Sequence, residues 1–354
     1  MTSSATPSPE PSRRSHSRTL SEAVGSILAA PVLSAAEAGA ATDVIAAAAV
    51  ADERQAVSEQ GRLRLKSAEA RPGVLHLLQR SAAQPSEAQP SEGQSTETQP
   101  SDAGLARQGT AVGYAQLELP SDGGAGTAEL TVEPGSRGLG LGRQLVEAVL
   151  AEASAAAPEA PVEFWAHGGH PAARHLAAAY GAELVRELRQ MRRTADLPEA
   201  ATLPDGVEVR TFRPGQDDAA WLRLNALAFA HHPEQGSWTQ QDLADRLGEP
   251  WFDPSGFFLA FRGEQLVGFH WTKVHPEGLG EVYVVGVDPA EQGNGLGRAL
   301  TAIGLRHLAQ DREQQTVMLY VDADNSAAVR VYERLGFTIH EVDLMYRVQA
   351  RRES

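Results

Sequence analysis

Cysteine is absent from the 354 residues. That absence excludes disulfides, thiolate nucleophiles and Cys-ligated metal sites together. It agrees with a reducing compartment, and the cytoplasm is the expected location. Cationic residues are in deficit too: 31 Lys and Arg against 46 Asp and Glu leave a formal charge of −15. Nucleic acid is therefore not an expected partner, because neutralising phosphates takes a basic face. No apolar stretch reaches the roughly 18 uncharged residues of a membrane span. The Ala-rich run Ile45 to Val50 is soon followed by Asp52, Glu53 and Arg54, so it reads as helix, and no membrane association is expected. Residues 1–18 are polar, lack an apolar core of signal-peptide length and read as a disordered leader.

What the chain does contain is one pattern written twice. Val132 to Arg143 reads V-E-P-G-S-R-G-L-G-L-G-R, and Val287 to Arg298 reads V-D-P-A-E-Q-G-N-G-L-G-R. The offset of 155 holds without a gap from Val112-Gly113-Tyr114 against Val267-Gly268-Phe269 to Gly181 against Gly336. Solenoids and propellers repeat at about 20–50 residues, so this period is that of a domain. Two similar α/β domains are expected side by side, each an α+β mixed sheet with helices on its faces.

In the second copy, Phe257 to Phe261, Leu266 to Thr272, Glu281 to Val287 and Thr316 to Val321 read as strands, the first two joined by a turn at Gly263. Leu296 to Asp311 and Ser326 to Leu335 read as helices, with Asn325 and Gly336 as caps. Val207 to Arg210 opens the second half as a strand, and Asp218 to Phe229 is an amphipathic helix. In the first copy, Val74 to Leu78 is a strand. After it, 81–103, rich in Pro, Ser, Gln and Glu, reads as a disordered loop insertion where the second copy has only Arg262 to Gln265. The predicted organisation is a leader at 1–18, a first domain at 19–196, a linker at 197–204 and a second domain at 205–350.

The loop Gln292-Gly293-Asn294-Gly295-Leu296-Gly297 differs in order from the dinucleotide fingerprint and lacks the Lys-Ser/Thr of a Walker loop. Glycines let backbone N–H groups turn toward a pyrophosphate, and the helix that follows adds its positive end. The pattern Q/R-x-x-G-x-G, met by Gln292, Gly295 and Gly297 and again by Arg137, Gly140 and Gly142, resembles the signature of the GNAT N-acetyltransferase superfamily. Asn325-Ser326-Ala327-Ala328-Val329-Arg330-Val331-Tyr332-Glu333-Arg334-Leu335-Gly336-Phe337 resembles its second signature helix. Two tandem GNAT-like domains are implied, with acetyl-CoA as co-substrate. The implied acetyl-CoA contacts are Val285, Gly286 and Val287, then Gln292, Gly293, Asn294, Gly295, Leu296, Gly297 and Arg298, then Asn325, Ser326, Ala327, Ala328, Val329 and Arg330. The corresponding first-half set is Leu130, Thr131, Val132, Gly138, Leu139, Gly140, Leu141, Gly142 and Arg143.

Within that superfamily, Ala230 to Gly236, Trp251 to Pro254, Gly268 to Lys273 and Leu279 to Val287 resemble the tandem enzymes that acetylate the cysteinyl amine of a cysteine, glucosamine and inositol conjugate. Acetyl transfer needs a neutral amine, a polarised carbonyl and a proton for the departing thiolate. Glu281 at the mouth of a strand can take the amine's proton, though a strand-end carboxylate can equally be a surface charge. A backbone N–H near Val285 to Val287 would polarise the carbonyl, as the family implies. Tyr332, about two helical turns beyond Asn325, can give a proton to sulfur, or be a packed core phenol. Glu59, Glu234, Lys273, Glu281 and Tyr320 are the implied substrate contacts. The adjacent His231 and His232 lack a third ligand at metal spacing, and no metal is expected. Through the same offset Glu281 falls on Gly126, Lys273 on Glu118, Asn325 on His170 and Tyr332 on Ala177. The first half keeps the loop and loses the acid and base, so chemistry is expected in the second half alone. Acetylation of another amine, on a protein N-terminus or an aminoglycoside, and a non-catalytic acyl-CoA sensor are the alternatives. A monomer is expected.

Overall fold

In a computed structural model, the structure describes residues 25–82, 109–121, 123–194 and 202–349. The leader at 1–18, the insertion at 81–103 from 83 onward, and the linker at 197–204 up to 201 lie outside the described residues. The described strands form one twelve-stranded sheet in the order β1-β2-β3-β4-β5-β12-β6-β11-β10-β9-β8-β7. The first half supplies β1 (Ile27–Ala30), β2 (Val74–Arg80), β3 (Ala111–Glu118), β4 (Gly126–Val132), β5 (Val162–Ala166) and β6 (Glu183–Thr194). The second supplies β7 (Val207–Thr211), β8 (Phe257–Arg262), β9 (Gln265–Val274), β10 (Gly280–Val287), β11 (Thr316–Asp322) and β12 (Thr338–Val348).

Each half forms an antiparallel meander that gives way to a single parallel pair, β4 with β5 and β10 with β11. Gly263, at φ +60°, makes the two-residue turn between β8 and β9, a conformation open to glycine at little cost. The halves do not close separately. The last strand of each crosses to the other, β12 pairing with β5 and β6 with β11, and the two crossed strands pair with one another in the middle. The two domains expected side by side therefore share one sheet. This exchange was not legible in the pattern, because E-L-V-R-E-L-R-Q-M-R-R-T and T-I-H-E-V-D-L-M-Y-R-V carry charge on both faces and mask the alternation that marks a strand.

The helices are α1 (Ala35–Asp52), α2 (Glu59–Lys66), α3 (Leu141–Ala156) and α4 (Pro171–Ala179) in the first half. In the second they are α5 (Asp218–Ala228), α6 (Pro233–Gly236), α7 (Gln240–Leu247), α8 (Leu296–Arg306) and α9 (Ser326–Arg334). One face of the second half packs Val282, Leu305, Leu308, Leu319, Val329 and Tyr332 beneath α8 and α9. The other packs Trp221, Leu224, Leu243, Phe257, Phe269 and Trp271 beneath α5 and α7. At roughly 1.5–3 kcal/mol for each fully buried large apolar side chain, these two layers are the main force holding the helices against the sheet.

Candidate active site

The site begins where the parallel pair ends. β10 pairs with β11 only from Gly280 opposite Val317 to Val282 opposite Leu319. Beyond, β10 follows β9 to Val287, while β11 follows β6 to Asp322. A gap opens between them, and alternation decides which groups face it. The Asp288 N–H donates to the Val267 carbonyl on β9 at 2.9 Å, so the N–H groups of Val287 and Val285 turn the other way, into the gap. The first half repeats this: β4 leaves β5 after Ala128, and the Glu133 N–H donates to Val112 at 2.9 Å, turning Val132 and Leu130 into the corresponding gap.

Below the gap lies the loop. Gly293 and Gly295 have φ of +83° and +89°, and a Cβ placed at either would meet no atom within 4 Å. The backbone is thus bare where a pyrophosphate would lie, and α8 starts at Gly295 with no side-chain cap. The Asn294 carboxamide accepts from the Leu296 N–H at 3.1 Å and donates to Glu291 at 2.7 Å, which fixes the turn. Gln292, Gly297 and Arg298 complete this segment, and Gly286 lies between the two gap-facing valines. Asn325 caps α9 through the Ala328 N–H at 3.1 Å, as the sequence indicates, with Gly336 at φ +83° ending it. Ser326, Ala327, Val329 and Arg330 form the opening turns of that helix.

Glu281 and Tyr332 approach from opposite faces. The Tyr332 ring is buried in one cluster with Val282, against which Val285 packs, and meets Phe337 edge-on at 5.9 Å between centroids. Burial pushes its phenol up to about 12, so it holds its proton at neutral pH. Glu281 stands on the other face, opposite Lys273 on β9, its side chain 7% exposed. Its carboxylate lies 2.8 Å from His275 Nε2. Tyr320, on β11, has its hydroxyl bonded by Gln190 at 3.0 Å and its phenol raised by burial and by the Glu281 charge.

Lys273 and Glu59 meet across the halves. Ser58 caps α2, its hydroxyl accepting from the Gly61 N–H at 3.0 Å, and Glu59 in the first turn reaches the Lys273 ammonium and accepts from the Tyr283 hydroxyl at 2.7 Å. Burial opposes the Glu59 charge, but Lys273 and these hydrogen bonds outweigh it and hold the carboxyl below its usual range. Lys273 also lies 4.3 Å from the centre of the Trp251 ring. Tyr283 is the extra residue of a β-bulge in β10, which aims its ring toward this box. Glu234 sits apart from that cluster. It pairs with Arg186 at 2.7 Å, which in turn holds Asp322 at 2.6 Å, while His232 lies 3.3 Å from Asp322.

In the first half a cavity of about 480 Å³ lies over the loop, lined by all the residues the sequence reading named there except Leu139, which is 45% exposed. Gly138 and Gly140 repeat the positive φ at +78° and +83°. Arg137, the counterpart of Gln292, is held by Asp52 through two bonds of 2.7 and 2.8 Å. His170 caps α4 as Asn325 caps α9, through the Ala172 N–H at 3.1 Å.

The acetyltransferase (GNAT) family model matches residues 74–182 and again 221–337. The mycothiol acetyltransferase of Streptomyces scabiei is 54% identical over 350 residues, covering 98% of this chain and 99% of its own. That of Streptomyces avermitilis is 56% identical over 322 residues, covering 90% and 94%. The chain belongs to the GNAT acetyltransferases, among the tandem mycothiol acetyltransferases. Two solved structures share the fold across nearly the whole chain. A tandem GNAT protein from the clavulanic acid biosynthesis pathway has a TM-score of 0.65 at 17% identity, covering 93% of this chain and 99% of its own. A GCN5-related N-acetyltransferase from Sphaerobacter thermophilus has 0.60 at 24%, covering 93% and 97%.

Two parts of this GNAT site escaped the sequence reading. His275 stands two residues beyond Lys273 and so shares its sheet face, a signal that period-2 counting provides. The aromatic box of Trp238, Trp251 and Tyr283, with the Arg246 guanidinium 3.6 Å from the centre of the Trp238 ring, has no such signal. Its members come from separate elements and meet only on folding.

Proposed function

We propose that this acetyltransferase moves the acetyl group of acetyl-CoA to the cysteinyl amine of a cysteine–glucosamine–inositol conjugate, giving mycothiol, by direct transfer in a ternary complex. The acceptor follows from the relatives' name together with the resemblance at Glu59, Glu234, Lys273 and Tyr320. The observation that carries the chemistry is the placement of Glu281 and Tyr332 on opposite faces of the sheet at the opening of the β10–β11 gap, above a bare glycine loop.

The residues fit acetyl-CoA, since unobstructed glycines, a helix start whose cap residue Gly295 carries no side chain and gap-facing N–H groups are what a pyrophosphate and a pantetheine amide require. Bound there, it supplies the activated acyl group. The Gln292–Arg298 loop and the start of α9 hold the phosphates, and the Val285 and Val287 N–H groups face the acyl carbonyl where negative charge develops. Glu281 takes the proton of the acceptor's ammonium and leaves the amine lone pair free to attack. Tyr332 gives its proton to the departing sulfur and regains one, by way of water, from the second proton that the nitrogen sheds as the amide forms; the burial that raises the phenol raises a thiolate formed beside it as well, which keeps the transfer feasible. Glu59 and Lys273 present a carboxylate and an ammonium to a hydroxyl-rich acceptor.

The first half binds a second acetyl-CoA without turning it over. Its loop and cavity are in place, but the bulge at Tyr283 shifts β10 by one residue, so that Thr127, paired with Glu118 as Glu281 is with Lys273, and not the Gly126 of the plain offset, stands where Glu281 does, and Ala177 stands in place of Tyr332. Retention of the acid and base in the second half opposes a sensor role. The test is acceptor choice, followed by product mass because the conjugate carries its own thiol. The inositol conjugate should outcompete the same compound lacking inositol, an aminoglycoside and a peptide amine; equal use of the peptide amine would overturn the assignment.

A further inference from the structure

Glu281 has a difficulty that its position creates. A buried base that takes a proton in every turnover must pass it on before the next. Its carboxylate is 7% exposed, and among the described residues the hydrogen-bonding side chain at its oxygens is the imidazole of His275. That ring is 20% exposed and so reaches both the carboxylate and water. Its place is fixed by a closed turn: the His275 N–H donates to the Leu279 carbonyl and the Gly278 N–H donates back to the His275 carbonyl, each at 2.9 Å, with Gly278 at φ +79°.

We propose that His275 is the proton exit of the acetyl-transfer site. The proposal rests on Glu281 acting as the base. The ammonium of the acceptor gives a proton to Glu281, Glu281 passes it to His275 Nε2, and the resulting imidazolium releases the proton on Nδ1 to water. Exchange with water then restores the starting tautomer, so no charge accumulates. The other titratable groups facing this pair are Lys273 on β9, neutralised by Glu59 of α2, and Tyr320 on β11, toward which Asp343 and Glu341 of β12 also act. Lys273 is held by Glu59, and burial raises the Tyr320 phenol, which leaves the His275 ring as the neighbour that joins the Glu281 carboxylate to water.

Two variants separate proton transfer from positioning. His275→Ala removes the ring, and His275→Gln keeps a hydrogen-bond donor that cannot relay a proton. Both should lose kcat at least roughly tenfold while KM and the calorimetric affinity for the acceptor stay within about twofold, a split that marks a step after binding. Imidazole added to His275→Ala should restore turnover in a saturable way and leave His275→Gln slow. Full activity in His275→Gln, or no restoration in a folded His275→Ala, overturns the relay. Where neither variant folds, a proton inventory of the intact chain in mixed H2O and D2O decides, a curved plot supporting the relay and a straight one overturning it. Glu281→Gln is assayed alongside: activity equal to that of the intact chain would sink the base assignment itself, whereas its loss with unaltered His275 variants sinks only the relay.

Discussion

Glu59 of the first half and Lys273 of the second form an ion pair with side chains 19% and 6% exposed. The pair joins the halves at the point where the acceptor is proposed to bind. Breaking one partner of a buried pair leaves the other charge uncompensated and costs about 3–5 kcal/mol. Lys273→Met should therefore lower the unfolding free energy by that order in urea titrations, and adding Glu59→Gln should recover most of the loss. Additive losses in the double variant would show that the pair is not coupled.

A second tie is buried beside the first-half gap. His167 lies 3.0 Å from Glu129 and 3.2 Å from Asp343 of the crossed strand β12, and Glu129 also accepts from the Ser58 N–H that begins the α2 turn. Burial opposes the His167 charge, but the hydrogen bonds to Asp343 and Glu129 prevail and raise it to about 10. A group raised on folding stabilises fully below its ordinary value and loses that contribution as pH climbs to the folded value. Stability should thus fall from about pH 6.5 to about pH 10. His167→Gln should flatten that slope, and an unchanged slope would assign it to other groups.

The loop glycines allow the halves to be compared. Gly295 and Gly140 sit at φ +89° and +83°, where an L side chain costs roughly 1–2 kcal/mol. Gly295→Ala should weaken acetyl-CoA binding in the second half and lower turnover with it. Gly140→Ala should leave turnover intact and remove one of two binding events in calorimetry. A single binding event in the intact chain would show the first-half loop to be a relic turn.

Tyr332→Phe keeps the ring and deletes only the hydroxyl. With acetyl-CoA affinity unchanged, kcat should drop at least about tenfold, which is roughly 1.4 kcal/mol of barrier. Unchanged turnover would make the phenol a packing residue.

Most of the second half could be read from the chain because its chemistry is local. The strand, loop and helix from Glu281 to Arg298, and the Asn325 cap with Tyr332 two turns on, are set by neighbouring residues. Long-range placement was not legible. The exchange of β6 and β12 depends on charged strands finding partners more than 100 residues away, among them Arg186 with Asp322 and Arg347 with Glu163. The reach of Glu59 to Lys273 depends on Ser58 and Glu129 fixing α2 against β4, which no spacing announces.

Acyl transfer in the second half, through Glu281 and Tyr332, is the step on which the proposed function stands. Its most direct test is a single-turnover assay of acetyl-CoA with the cysteinyl conjugate, followed by product mass, in the intact chain, Glu281→Gln and Tyr332→Phe. Acetylated conjugate is expected from the intact chain and at least roughly tenfold slower formation in each variant, with acetyl-CoA still bound. Bound acetyl-CoA without acetylated conjugate in the intact chain, or undiminished rates in both variants, would contradict it.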